Sequence, residues 1–148
     1  MITCKGGDQL KNMPAKTPIS PHFSEDFSFK YKVTYGPEQH EYHTHKQFDI
    51  IFMLTPNSVC HVSEKNWKVP KNSIILFNNM DLHKITLNTH ERFERYTLSF
   101  KPEYIESLSS KETDLLECFF LRPFSNPYIL PLTIPQAEEC LTQLKRLI

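Results

Sequence analysis

The chain is short of glycine, with three in 148 residues and none after position 36. Asparagine stands at the turns instead, at Asn57, Asn66, Asn72, Asn78, Asn79 and Asn88, because it tolerates left-handed backbone better than other non-glycine residues. There is no charge excess of either sign: 17 basic residues face 17 acidic ones. A domain that grips nucleic acid directly carries a basic surplus on one face, so this segment is not expected to bind DNA or RNA itself. No apolar run approaches the roughly 18 residues of a membrane span. The N-terminal stretch has lysines but no apolar h-region, so neither a membrane partner nor a signal peptide is expected. The cysteines, Cys4, Cys60, Cys118 and Cys140, are far apart and form no CxxC pair. That spacing fits reduced thiols in a cytoplasmic protein rather than a disulfide framework. Phosphate loops, nucleophile elbows, HExxH and paired-carboxylate motifs are all missing.

What the chain does have is a series of short strands. Residues 1–26 read as an N-terminal arm interrupted by Pro14, Pro18 and Pro21. From Phe27 to Tyr35, aromatic and aliphatic residues alternate with Ser28, Lys30, Lys32 and Thr34, the period of a half-buried strand. Phe48–Leu54 is apolar enough to be buried on both faces. Val59–Ser63 and Trp67–Val69 flank a hairpin, Pro70-Lys71-Asn72 turns the chain, and Ser73–Phe77, Lys84–Leu87 and Arg95–Phe100 follow. Strands with a turn signal every eight to twelve residues predict a sandwich or barrel over residues 27–100. After Phe100 the texture turns helical, with Pro102 opening one short helix and Glu112–Phe120 forming another. Residues 126–132, carrying Pro127 and Pro131, read as an extended return that can only be an edge strand or loop.

A final helix is predicted over residues 133–148. Thr133 and Gln136 form a T-x-x-Q capping box, with Pro135 in the tolerated first turn. Ala137, Leu141, Leu144 and Ile148 make one apolar stripe. The stripe still runs at Ile148 without a stop signal, so continuation in a longer protein is expected.

The chemistry gathers around His43-Thr44-His45, Asp49 and His83. Two histidines one residue apart share a face of a strand, and Asp49 has the same parity. Ile51 and Met53 continue that parity and are candidate pocket-wall residues. His43, His45, Asp49 and His83 together offer three imidazoles and a carboxylate. These would suit a divalent transition metal such as Zn, Ni, Fe or Mn, or would line a metal-free pocket that hydrogen-bonds a ligand. No cofactor is required for the second case. His22, His40, His61 and His90 share no parity with them and are expected at the surface.

The order His43-x-His45, strand Phe48–Leu54, hairpin Val59–Val69, turn Pro70–Asn72, strand Ser73–Phe77 and Asn78-Asn79-Met80-Asp81-Leu82-His83 resembles the cupin double-motif barrel. The exit that follows, Arg95-Tyr96-x-Leu98-x-Phe100 leading into Lys101-Pro102-Glu103, is similar to that of the sensor domains of AraC-type transcription regulators. The resemblance implies a mainly β fold, a cupin-type double-stranded β-helix (jelly-roll) barrel with C-terminal α-helices. It also implies an effector-sensing domain rather than an enzyme. A small polar molecule, a sugar or a carboxylate, would bind in the barrel. The final helix (Ala137, Leu141, Leu144, Ile148) would pair with its copy in a homodimer. A helix-turn-helix domain beyond residue 148, absent from this chain, would contact DNA. The departures are Asp49 where metal-binding cupins place Glu, and the missing glycines around the second motif. A stand-alone metal-dependent cupin enzyme, an isomerase or dioxygenase, is the alternative, and a carbohydrate-binding module without a regulatory role is a third possibility.

Overall fold

The structure, a computed structural model, describes residues 26–122 and 128–147. Apart from Asp26, the expected arm lies outside the described residues, as do residues 126 and 127 of the extended return and Ile148 of the apolar stripe. Eight strands, β1 (Phe27–Tyr35), β2 (Phe48–Met53), β3 (Ser58–Val62), β4 (Lys65–Val69), β5 (Ser73–Phe77), β6 (His83–Leu87), β7 (Arg92–Phe100) and β8 (Ile129–Pro131), form two antiparallel sheets. The larger has the order β1-β7-β2-β5-β8 and the smaller β4-β3-β6. Three helices follow the barrel strands: α1 (Pro102–Glu106), α2 (Glu117–Phe120) and α3 (Ile134–Lys145).

The strand alternation serves more than one core. Ile51, Met53, Ile75, Phe77 and Phe93 of the large sheet meet Cys60, Val62, Val69 and Leu87 of the small one, forming the barrel interior. On the opposite face of the large sheet, Phe29, Phe52 and Tyr96 pack under Ala137, with Cys140, Leu141 and Leu144 of α3 alongside. Phe48, Phe100 and Phe119 form a third cluster with Ile105 and Leu116. Each fully buried phenylalanine contributes about 1.5–3 kcal/mol of transfer free energy. The capping box of α3 is present, Thr133 and Gln136 bonding reciprocally. β8 pairs with β5 alone, at the sheet edge where Pro131 leaves no ladder bond unmade. The stripe expected to mediate dimerisation is therefore turned inward: Ala137 is 3% exposed, and Leu141 and Leu144 rest on the same sheet face. An amphipathic helix must bury its apolar side somewhere, and here its own barrel takes it.

Between β1 and β2 runs a strap, residues 36–47. It pairs with β6 at two isolated bridges, Glu38↔Leu87 and His43↔His83, and its Tyr42 ring lies 4.5 Å from Lys84 Nζ. Five residue steps on the strap face four on β6, so the strap carries one extra residue, as a bulged strand does. Gly36 anchors its start. A Cβ there would sit 2.0 Å from the Thr89 carbonyl oxygen and 2.8 Å from Leu87 Cδ2. Gly36→Ala is expected to cost about 1–3 kcal/mol, the usual range for forced overpacking, read as a lower urea midpoint. An unchanged midpoint would mean that the strap shifts freely at this point.

Candidate functional site

The strap brings His43 and His45 over the start of β6, where His83 is 3% exposed. The backbones of His43 and His83 exchange two hydrogen bonds of 3.1 Å. The rings of His43 and His83 lie 4.5 Å apart, and those of His45 and His83 5.4 Å apart. One ring nitrogen from each of the three falls within 4.8 Å of the others. Each Nδ1 faces a backbone carbonyl: His43 that of Glu41 at 3.1 Å, His45 that of Gln47 at 2.8 Å, His83 that of Asp81 at 2.8 Å. Nδ1 therefore donates in each ring, which fixes orientation and directs Nε2 to other partners.

Asp49 stands apart from this trio. Its Oδ2 lies 2.9 Å from His45 Nε2, and its Oδ1 accepts from Ser99 Oγ at 2.6 Å. The hydrogen bond to this carboxylate favours the charged form of His45 and raises its pKa above the ordinary 6.5. Burial pushes His83 the other way, below 6.5. The ring of Phe77 covers it face to face at 3.9 Å. The two histidines have opposite linkage. His45 adds stability that is complete below pH 6.5 and is lost as pH rises through its raised pKa. His83 adds stability present above pH 6.5 and lost as pH falls through its lowered one. The stability gap between the chain and Asp49→Asn is expected to be widest on the acid side of 6.5 and to narrow on the alkaline side. Urea unfolding across pH reads it, and a gap independent of pH would show that His45 does not hold the proton.

Below the histidines lies a cavity of about 180 Å³, lined by His40, His43, Asp49, Ile51, His83, Ile85, Phe93 and Arg95. Four of the six expected pocket residues line it: His43, Asp49, Ile51 and His83. His45 belongs to the imidazole trio above it. Met53 does not reach the cavity, being 0% exposed among core side chains one step further along β2. Asp49, expected among the metal ligands, is not part of the three-nitrogen group because His45 and Ser99 engage it. His40, expected at the surface, is half exposed there and also stands at the cavity rim.

The residue that the sequence signals did not flag as functional is Arg95. Its side chain is 12% exposed and pairs with Glu38 at 3.2 Å. It also donates to Thr34 Oγ1 at 3.2 Å and lies 3.9 Å above the Phe93 ring. The available signal was its parity with Phe93, Thr97 and Ser99 on the inner face of β7. A wider groove of about 630 Å³ runs outside the barrel, between α3 and the large sheet. The inner cavity is where buried polar groups converge, and such convergence marks a binding site.

An antiparallel barrel with a polar-headed hollow inside and helices on its outer face is a cupin-type ligand-binding domain. Residues 31–148 match the AraC-like ligand binding domain family, and the chain belongs to it. No curated protein matches this chain. Among solved structures, ToxT from Vibrio cholerae bound to (E)-4-(8-methylnaphthalen-1-yl)but-3-enoic acid aligns with a TM-score of 0.58 at 10% identity, over 82% of this chain and 48% of ToxT. ToxT bound to an unsaturated fatty acid gives 0.58 at 9% identity, over 82% and 47%. This chain thus spans about half the length of ToxT. A cupin 2 conserved barrel protein from Salinispora arenicola aligns at 14% identity with a TM-score of 0.49, over 65% of this chain and 76% of that one.

Proposed function

We propose that the cavity between the strap, β2, β6 and β7 receives a small polar effector, a sugar or a carboxylate. Binding there controls a DNA-binding helix-turn-helix domain C-terminal to this chain, in a homodimeric cytoplasmic regulator. The observation that carries this reading is one partly open hollow in which the exposed His43 imidazole, the buried His83 imidazole, the Asp49 carboxylate and the Arg95 guanidinium meet an apolar wall. The effector acts only by binding two arrangements of the protein with different affinity. A thermal-shift screen of sugars and carboxylic acids tests the binding. A true effector stabilises the chain by about 2.7 kcal/mol at a hundred times its Kd. It also changes the operator affinity of the longer protein. Binding without any change in operator affinity would refute the switching role.

The imidazole trio supports a second, compatible reading, in which a divalent transition metal is held by His43, His45 and His83. Three nitrogens within 4.8 Å, each ring oriented through Nδ1, suit Zn, Ni, Fe or Mn. When bound, such an ion would supply Lewis acidity at the head of the cavity. His45 Nε2 must first leave Asp49, and because that contact favours its protonated form, uptake competes with acid. Stoichiometric metal in the purified chain, lost in His83→Ala, together with turnover of a substrate, would favour the alternative of a stand-alone cupin isomerase or dioxygenase.

A further inference from the structure

Glu38 is a carboxylate held as a ligand would be. Its side chain is 13% exposed. It accepts from Arg95 Nη2 at 3.2 Å and lies 3.2 Å from His40 Nε2. Thr34 hydrogen-bonds it as well, and the positive charge of Lys32 acts on it. Its backbone is fixed independently of this carboxylate, by two hydrogen bonds to Leu87 of 2.8 and 3.0 Å. Arg95 and His40, two of the groups that hold Glu38, also line the cavity, whose apolar wall is Ile51, Ile85 and Phe93. An anionic receptor site and an apolar slot are therefore continuous, and the chain's own side chain fills the first.

Charge decides what can enter. With Glu38 in place, the Arg95 charge is already neutralised, and the Asp49 carboxylate, engaged by His45 and Ser99, offers an incoming anion nothing. A second carboxylate arriving there would stand uncompensated in a partly dry site, which is costly. A neutral sugar would meet no such barrier, but it would set its hydroxyls against Ile51, Ile85 and Phe93. We propose that the effector is a short-chain carboxylic acid whose carboxylate replaces Glu38 on Arg95, and that Glu38 is the internal competitor that holds the site closed in its absence. The inference rests on the proposed effector role of this cavity and deepens it by naming the ligand class. The exchange breaks no backbone bond. Glu38 swings to solvent, and the strap gives up this ion pair with the barrel wall. That pair ties residues 38–40 to β7 when the site is empty.

Isothermal titration calorimetry of the chain with sodium hexanoate tests this, with hexan-1-ol as the uncharged control. Removing the competitor's charge in Glu38→Gln keeps the strap backbone bonds. It is expected to tighten hexanoate binding about tenfold, the tax paid when the competent state is one tenth populated, and to leave hexan-1-ol unaffected. Adding Arg95→Met to that variant avoids stranding a buried carboxylate and is expected to weaken hexanoate by more than about tenfold. Circular dichroism melts verify that both variants fold. Hexanoate binding that is unchanged or weaker in folded Glu38→Gln overturns the proposal and leaves the cavity as an effector site. So does binding of a neutral sugar with no carboxylate bound. Failure of hexanoate, hexan-1-ol and a sugar panel in every variant removes the effector reading itself.

Discussion

Replacing Arg122 with methionine is expected to destabilise the domain by about 3–5 kcal/mol, the cost of stranding a buried charge, and to lower Tm by roughly 10 °C or more. Arg122 reaches from the end of α2 into the turn before β6. Its Nη1 donates to Asp81 Oδ2 at 3.1 Å and its Nη2 to Oδ1 at 3.3 Å. The two side chains are 12% and 8% exposed. The guanidinium also caps the Leu76 carbonyl at 3.3 Å and lies 4.4 Å over the Tyr128 ring. Methionine fills similar space but takes both guanidinium bonds from Asp81, which keeps the Asn78 backbone amide at 2.8 Å and the Tyr128 hydroxyl but no cation. The effect reaches the site because the Asp81 carbonyl receives His83 Nδ1–H at 2.8 Å. The same turn is held to α2 by Asn78 Nδ2, which donates to the Phe119 carbonyl at 3.1 Å. Adding Asp81→Asn to Arg122→Met is expected to restore part of the loss, since the unpaired charge has gone. A loss below about 1 kcal/mol in the single variant, the size of an exposed pair, would show that the contact is slack.

Much of this arrangement was legible in the residues. Sustained alternation over Phe27–Tyr35 marked β1 end to end, and Thr133 with Gln136 marked the start of α3. The prolines of the extended return allowed an edge strand or a loop, and residues 129–131 form the edge strand β8. The convergence of His43, His45 and His83 was legible too, although for an incomplete reason. The histidines do not share a strand face, since β2 begins at Phe48. They meet because the strap bridges β6 at His83. Parity placed Asp49 and Ile51 correctly but could not say how deep Met53 would lie, because alternation carries direction and not depth.

Other features were hidden because the large sheet has a core on each side. On β7, Tyr96 packs under α3 and Phe100 packs with Phe119. Arg95 and Ser99, of the opposite parity, hold Glu38 and Asp49 inside. Tyr96 and Phe100 thus point away from the hollow, while the face that carries Phe93 also turns Arg95 into it, so neither face of the strand reads as wet. The α3 stripe shows the same limit. Its spacing states that one face is apolar, but nothing in a spacing names the surface that covers it. Glu38 and Arg95 stand 57 residues apart, and only the closure of the strap makes them a pair.

Truncating Phe77 to alanine is expected to be as damaging to stability as the loss of Arg122, at about 3–5 kcal/mol, and to change the chemistry of the site as well. Phe77 is 0% exposed, pairs with Asp49 across β2 and β5, and belongs to the inner core with Ile51, Ile75 and Phe93. Its ring lies 3.9 Å from that of His83 at an interplanar angle of 13°. It is therefore much of the wall that keeps water from this imidazole. Burial is the leading cause of the lowered pKa of His83. Opening a space beside the ring relieves that cost of charging, so the pKa should move back up toward 6.5. Phe77→Leu keeps most of the volume and should lose far less stability. NMR titration of the His83 ring proton in a folded fraction of the alanine variant reads the shift, and an unmoved pKa would assign the depression to neighbouring charge. The consequence for function is direct. Only neutral His83, with Nδ1–H given to the Asp81 carbonyl, presents a free Nε2 lone pair toward the other imidazoles near neutral pH, and that lone pair is what an effector hydroxyl or a metal ion would engage. Phe77, with no polar atom of its own, holds His83 in that form.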